Sequence, residues 1–244
     1  MIIIEKTEVY GWGAAIRGMR NPMNSWEKSD SYFMCENGPC EQCEHENDGR
    51  CSYWGKEYTI GKNDLALMKK LVKAGSDHSK FMRMINVTCD ITAPLYWYKE
   101  FDTYKVGTVR NSCSTMHKIA EKKFTFDDFS HEHLITYDDG TEMYIGYTKY
   151  HSLDGMVFII DLLNHYRNLY LDTKDKKYWW QMIQLLPSSY NQRATVQMNY
   201  AVLRNMYHAR KNHKLDEWHD FCAWVESLPY SELITGIKKE EVPV

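Results

Sequence analysis

The sequence lacks any apolar run near the roughly 20 residues a membrane-spanning helix needs. Its longest, Met156 to Ile160, reads instead as a stretch of buried helix. It also lacks a basic block: 30 basic and 33 acidic residues are mixed along the chain, for a formal net charge of −3. Without a basic face there is little counterion release to gain, which argues against duplex nucleic acid as the main partner. The start, MIIIEKTEVYGW, is too short and too acidic for a signal peptide. No internal repeat is visible, and alternating βαβ units are missing. These absences point to a soluble, cytoplasmic protein whose partners are neither membrane nor duplex nucleic acid.

What is present fits a globular chain. With 244 residues it can bury a full core. We expect one domain over residues 1–234, with a Cys-rich insertion at 21–57, a hairpin at 135–150 and a flexible tail at 235–244. The 18 tyrosines and 8 tryptophans suit stackable surfaces or wide interfaces, and equally suit core packing. Seven cysteines is an odd count, and an odd count with no signal sequence argues against a disulfide framework. Four of them, Cys35, Cys40, Cys43 and Cys51, fall within 17 residues of a Gly- and Pro-bearing segment. Four thiolates so spaced can close a tetrahedral zinc (Zn) site, with His45 as a further donor. An iron–sulfur cluster or simple free thiols are the alternatives.

The order of elements is mixed. Residues 2–9 read as a strand. Asn63 or Asp64 can cap a helix that runs to about Ala74 and ends at Gly75. Residues 83–92 alternate as a half-buried strand, which Pro94 stops. Residues 95–106 are aromatic and charged and can start a helix. Asp138-Asp139-Gly140 is a hairpin signal. Helical patterns follow at 153–170, 175–186, 194–210 and 214–227. Strands early and helices late predict an α+β fold, a central antiparallel or mixed sheet flanked by helices.

The segment LPSSYNQRATVQMNYAVLRNMYHAR carries Leu186-Pro187, Asn199, Asn205 and Arg210. On one helix, Asn199 and Arg210 would share a face, eleven residues and about three turns apart. Arginine at a helix end can clamp a phosphate, and asparagine offers a donor and an acceptor to a base or flavin edge. An amphipathic helix with no ligand is the plain alternative.

This stretch resembles, without gaps, the C-terminal part of the flavin-dependent thymidylate synthases, in which a Leu-Pro, two Asn and an Arg recur at these intervals. The resemblance implies that Asn199 and Asn205 face FAD and that Arg210 faces dUMP. His213 is the match to a family histidine near the flavin, one place out of step, and Glu217-Trp218 stands in the family's next helical run. Upstream, Asp77-His78-Ser79-Lys80-Phe81 is similar to a family His-x-Thr/Ser-x-Phe segment, which makes Ser79 a cofactor-binding candidate. In YKVGTVRNSCSTMH, Asn111 and Ser114 fit the family's signature Asn and Ser at the pyrimidine end. The signature Arg-His-Arg falls on Tyr104-Lys105-Val106, its Glu on Ser112 and its Arg-Tyr on Met116-His117. Tyr104 can stack on a ring, Lys105 can meet a phosphate or the cofactor as a point charge, and Arg110 can restore a positive charge. The family is homotetrameric, with active sites shared between subunits. By resemblance the reaction is reductive methylation of dUMP to dTMP, with a folate as carbon donor and NADPH-reduced FAD as hydride source, and Ser114 and Arg210 carry the catalytic roles. The rival readings are an enzyme on the same scaffold acting on another pyrimidine nucleotide, and a non-catalytic nucleotide-binding or interaction protein.

Other features have plainer readings. Asp127, Asp128, His131 and His133 can bind metal or move protons, though such runs are usually solvated helix starts. Tyr178-Trp179-Trp180 fits a core or a subunit interface. His165, His208 and His219 lie within helices.

Overall fold

The computed structural model describes residues 2–35, 38–39 and 58–236. With elements numbered in chain order, the main sheet joins β1 (Ile3–Tyr10), β5 (Asn86–Pro94), β9 (Asn191–Asn199) and β6 (Val109–Ser112). The strand order is β1-β5-β9-β6, and every neighbouring pair is antiparallel. This is the expected α+β architecture.

Period-two patterning explains the sheet. On β5, Val87, Cys89, Ile91 and Ala93 are buried, while Asn86, Thr88, Asp90 and Thr92 face the other side half-exposed. On β9, Ala194, Val196 and Met198 continue the buried face. One core forms there with α1 (Trp12–Arg20), α3 (Leu95–Phe101), α7 (Tyr200–Arg210) and α8 (Asp216–Ser227). Its centre is Trp97, stacked on Phe101 with ring centroids 5.0 Å apart and 4.9 Å from Trp218. Burial pushes the Cys89 thiol up to about 12, so it behaves as a small apolar residue.

A second core lies between α5 (Ser152–Thr173), α6 (Lys176–Leu185) and residues 119–129. Asn164 ties them: its amide accepts from the Phe124 N–H and donates to the Phe124 carbonyl, both at 2.9 Å. Of the apolar run on α5, Met156 and Ile160 are buried one turn apart, whereas Phe158 is 66% exposed. The run wraps around the helix, and only one stripe of it meets α6.

Three local expectations are corrected. Residues 194–210 are not one helix: 194–199 complete β9, and α7 starts at Tyr200. Thr195 and Val196 are β-branched, and the stretch lies between β5 and β6, so cross-strand burial overrides a helix-like apolar spacing. The hairpin does not turn at Asp138-Asp139-Gly140. Strands β7 (Met143–Ile145) and β8 (Thr148–Tyr150) are joined by Gly146-Tyr147, where Gly146 takes the positive φ of 62° that a two-residue connection requires. Asp138 instead reaches Lys149 at 2.6 Å and His151 at 2.8 Å.

The third correction concerns the start of α2 (Lys62–Lys73), which neither Asn63 nor Asp64 caps. Asp30 does so from outside, accepting from the Asn63 and Asp64 N–H groups at 2.9 and 3.0 Å. Gly61 leaves the space, since a Cβ there would lie 2.1 Å from Asp30 Cγ. Asp64 is freed to pair with Arg20 at 2.6 Å, with both side chains buried, and its other oxygen accepts from Ser29 and Ser31 at 2.6 Å. Residues 29–31 are therefore tied to Asp64 at the start of α2, while most of 21–28 is exposed.

Beyond them, β2 (Tyr32–Cys35) pairs with β3 (Gly38–Pro39) and β4 (Tyr58–Thr59). Cys35 closes β2, and the remainder of the proposed metal group, Cys40, Cys43 and Cys51 with His45, lies outside the described residues. Cys89, Cys113 and Cys222 are free thiols. Among the described residues no helix is long and apolar enough to cross a membrane.

Candidate functional site

Pro94 ends β5 and α3 begins at once. Helical spacing buries Trp97, Tyr98 and Phe101 and leaves Glu100 half-buried on the other flank. Residues 102–108 then lead into β6, which pairs Val109 with Gln197 and Asn111 with Thr195. Two residues beyond Gln197, β9 gives way to α7. The two stretches that carry the sequence resemblance, 104–114 and 199–213, are thereby brought together.

Their meeting point is a cluster on Glu100. Arg210 Nη1 donates to Glu100 Oε2 at 2.7 Å, and Trp218 Nε1 donates to the same oxygen at 3.0 Å. His213 Nε2 lies 3.2 Å from it. The Leu215 N–H donates to His213 Nδ1 at 3.2 Å, so Nδ1 is the acceptor and Nε2 carries the hydrogen that faces Glu100. Arg210 Nε donates to the Tyr104 hydroxyl at 2.8 Å. The guanidinium also lies over the Trp218 ring, 4.9 Å from its centroid, and 5.5 Å from that of Tyr104. Arg210, placed by the sequence as an open nucleotide clamp, is thus already paired.

Asn199 is not on a helix face. It is the N-cap of α7, its Oδ1 accepting from the Val202 N–H at 3.0 Å. Its Nδ2 points at Gly107, which has φ +86°. Asn205 is exposed on α7, and its amide has no hydrogen-bond partner among the described residues. Lys105 and Val106 are exposed on the connecting loop, Val106 at 89%. Asn111 is exposed on β6, the edge strand of the sheet. Ser114 is exposed as well and caps α4 (Thr115–Lys118), accepting from the His117 N–H at 3.2 Å.

Arg110 is no free replacement for the missing arginines. Its Nη2 donates to Asp102 at 2.8 Å, its Nη1 to Gln192 at 3.1 Å, and its guanidinium lies 4.4 Å from the Tyr98 ring centroid. With carboxylate, amide and ring all engaged, it stitches α3, β6 and β9 together. Ser79 belongs to a local turn, its hydroxyl donating to the Gly75 carbonyl at 3.0 Å. The residues of FDDFSHEH serve separate local bonds. Asp128 accepts from the Thr125 N–H at 2.8 Å and pairs with Lys122 at 2.7 Å. His131 Nδ1 meets the Phe129 carbonyl at 2.8 Å, and His133 meets Asp216 at 3.0 Å.

Sequence reasoning missed Glu100 and Gly107. Glu100 carried a usable signal: it is a lone acid in the aromatic helix LYWYKEF, four residues before Tyr104. Gly107 carried one too, as the glycine of an otherwise side-chain-rich turn. Its need became visible only once Asn199 was in place.

No protein-family model and no curated protein matches the chain. Solved structures do match, along most of its length. The flavin-dependent thymidylate synthase ThyX from Helicobacter pylori, complexed with FAD and dUMP, superposes with a TM-score of 0.61 at 16% identity, over 95% of this chain and 96% of that one. Another structure of ThyX from Helicobacter pylori with FAD and dUMP gives 0.60 at 14% identity, over 96% and 97%. The UMP/dUMP methylase PolB from Streptomyces cacaoi, bound with 5-Br dUMP, gives 0.55 at 13% identity, over 97% and 95%. At such identities the likeness is one of fold, and the fold of this chain is that of the flavin-dependent thymidylate synthases.

Proposed function

We propose that the protein is a flavin-dependent nucleotide methyltransferase that converts dUMP to dTMP by reductive methylation. The observation that supports this most is the junction of Tyr104 with Arg210, 2.8 Å apart, in a chain whose fold is shared with proteins solved with FAD and dUMP. Two segments far apart in sequence, both of which carry the resemblance, meet at this bond.

The donor set suits the ligands. The Asn205 amide, unpartnered among the described residues, offers one donor group and one acceptor, which suits the N–H and C=O pattern of a flavin or pyrimidine edge. Gly107 lets its loop approach Asn199 so closely that a Cβ there would lie 2.7 Å from the Asn199 Nδ2. In this reading Asn199, Asn205 and His213 hold FAD, with Ser79 and Lys105 as further contacts. Arg210, Tyr104 and Asn111 orient the nucleotide, and Ser114 stands at the pyrimidine. Reduced FAD would supply a hydride, with NADPH as its source and a folate as the carbon donor. The protein's part is orientation and charge. A homotetramer belongs to the same proposal, and the exposed Tyr144, Ile145, Tyr147 and Phe158 are apolar surface that assembly would cover.

One observation favours a second reading, an enzyme on this scaffold acting on a different pyrimidine nucleotide. Arg110 is occupied and Val106 is solvent-exposed, so the charges that would stand in for Arg-His-Arg reduce to Lys105. The deciding experiment is an absorbance spectrum of the purified protein with and without added FAD, paired with thermal shifts in dUMP and UMP. A flavin spectrum with stabilisation by dUMP is expected, and Arg210→Ala should abolish that stabilisation. A colourless protein that takes up no FAD and gains nothing from either nucleotide sinks both enzyme readings.

A further inference from the structure

We propose that Asp138, Glu142 and His151 bind one divalent transition-metal ion, zinc being the best fit, and that the ion fastens the β7–β8 hairpin to the start of α5. The proposal is independent of the nucleotide reading above.

Both ends of the hairpin supply ligands: Asp138 and Glu142 precede β7, and His151 follows β8. One ring nitrogen and one oxygen of each carboxylate all lie within 4.8 Å of one another. Local bonds set the three groups in place. Asp139 accepts from the Thr141 N–H at 3.0 Å, closing the turn that carries Asp138 and Glu142. The Gly140 N–H donates to Glu142 at 3.3 Å. His151 is the N-cap of α5. Its N–H donates to Asp154 at 2.7 Å, and the same oxygen lies 3.2 Å from Nδ1. With Nδ1 held by a carboxylate, Nε2 is the nitrogen left for the ion, and it lies 2.8 Å from Asp138 Oδ1. A carboxylate behind a ligand histidine fixes its tautomer and ring orientation and makes it a stronger donor.

Charge and donor type choose the ion. Two carboxylates and a neutral imidazole balance one divalent cation. Lys149 takes the other oxygen of Asp138 at 2.6 Å, so Asp138 is left one oxygen for the metal. The positive end of α5 would repel a cation, and Asp154 in its first turn offsets that. An imidazole nitrogen suits zinc and its neighbours, whereas magnesium and calcium take oxygen ligands and more of them. Tetrahedral zinc with bonds of about 2.0 Å sets its donors about 3.3 Å apart. Glu142 has to close in to reach that spacing, and a single long hydrogen bond from Gly140 leaves it room to do so. Glu142 and His151 also line a cavity of about 300 Å³ with Thr141, Tyr150 and Ser152, which has space for water as the fourth ligand. The hairpin gains from such a fastening, because every residue of β7 and β8 is exposed and little apolar burial holds them.

The test adds zinc to the full-length protein at a pH where imidazole is neutral. It follows the His151 ring protons by NMR and amide exchange in residues 143–150 by mass spectrometry. Three ligands release metal more readily than four thiolates, so this site is filled by titration rather than carried through purification, and no variant used touches the cysteine segment. Stoichiometric zinc should shift the ring protons and slow exchange in the hairpin, and magnesium at the same concentration should do neither. Glu142→Gln removes one ligand charge and should raise the zinc required by roughly tenfold or more. Asp139→Asn removes a neighbouring charge, keeps the acceptor for Thr141 and should respond as the wild type does. A wild type indifferent to zinc, an equal response to magnesium, or a Glu142→Gln protein that responds at wild-type zinc concentrations overturns the proposal. So does an Asp139→Asn protein as insensitive as Glu142→Gln, since diffuse acidic charge would then explain the effect. Should Glu142→Gln fail to fold, the magnesium and Asp139→Asn comparisons decide.

Discussion

Gly107 and Asn199 approach so closely that a Cβ on Gly107 would lie 2.7 Å from the Asn199 Nδ2. The same asparagine caps α7 through its other amide atom. One residue thus fixes both the loop after α3 and the first turn of the helix that carries Arg210.

That double duty predicts a non-additive pair. Asn199→Ala should cost about 1 kcal/mol through the lost cap. Gly107→Ala should cost about 1–2 kcal/mol for the positive φ alone, and more because Asn199 must move. With Asn199 already truncated the steric part vanishes, so the double variant should be more stable than the sum of the two effects predicts. Urea titrations of the four proteins measure the coupling, and strict additivity would show that the contact carries no energy.

The buried Arg20–Asp64 pair makes the strongest stability prediction. Removing one partner leaves an uncompensated buried charge, so Arg20→Met should destabilise by about 3–5 kcal/mol. Replacing both with apolar residues should restore part of that loss. Burial pushes the Asp64 pKa up, but the hydrogen bonds from Ser29, Ser31 and Arg20 together outweigh it, and the net shift is downward from 3.8. The sign follows from linkage: a depressed carboxyl pKa contributes stability that is present above pH 3.8 and is lost as pH falls through the lower folded value. The gap in stability between wild type and Asp64→Asn should therefore narrow below pH 3.8 and stay constant above pH 5 or so. Denaturation curves across that range check it, and a gap that narrows on raising the pH contradicts it.

The cysteines between 35 and 51 predict a metal-dependent fold for their segment. If Cys35, Cys40, Cys43 and Cys51 bind zinc as four thiolates, elemental analysis should find one zinc per chain, and a chelator should lower the melting temperature. Serine at Cys40 and Cys43 should do the same without chelator. A metal-free protein indifferent to both treatments would leave these residues as ordinary thiols.

The fold was legible where local pattern and burial agree. The alternation of Val87, Cys89 and Ile91 announced β5, and the apolar stripe of residues 65–72 announced α2. Legibility failed where one residue's role is set by a distant partner. Asp64 reads as a helix cap until Arg20, 44 residues away, takes its carboxylate and Asp30 takes over the capping. Residues 194–199 read as helix because apolar spacing cannot register that β5 and β6 flank them. At the site, only the candidacy of Arg210, Asn199 and Tyr104 was legible. Their pairing was not, since Glu100 lies 110 residues from Arg210 and its acid matches no expected motif. Spacing also suggested that Arg110 was available, whereas Asp102, Gln192 and Tyr98 hold it.

His151 offers a pH prediction at the other end of the molecule. It precedes α5, where the positive end of the helix dipole disfavours an imidazolium. Two carboxylates oppose that effect. Asp138 accepts from Nε2 at 2.8 Å, and Asp154 lies 3.2 Å from Nδ1. The bond to Asp138 is the largest cause, and despite the cost of burial the His151 pKa is raised above 6.5. For a base whose folded pKa is raised, the stabilisation is complete below the unfolded value of 6.5 and is lost as pH rises through the folded value. The β7–β8 hairpin, held to this end of α5 by Asp138 through Lys149 and His151, should therefore loosen on the alkaline side of neutrality and not on the acid side. Asp138→Asn removes the largest cause and should bring the His151 titration back toward 6.5, with amide exchange in residues 143–150 becoming faster below that pH. Ring-proton chemical shifts of His151 in the two proteins give the comparison, and a wild-type midpoint no higher than that of Asp138→Asn would mean that the carboxylate does not hold the proton there.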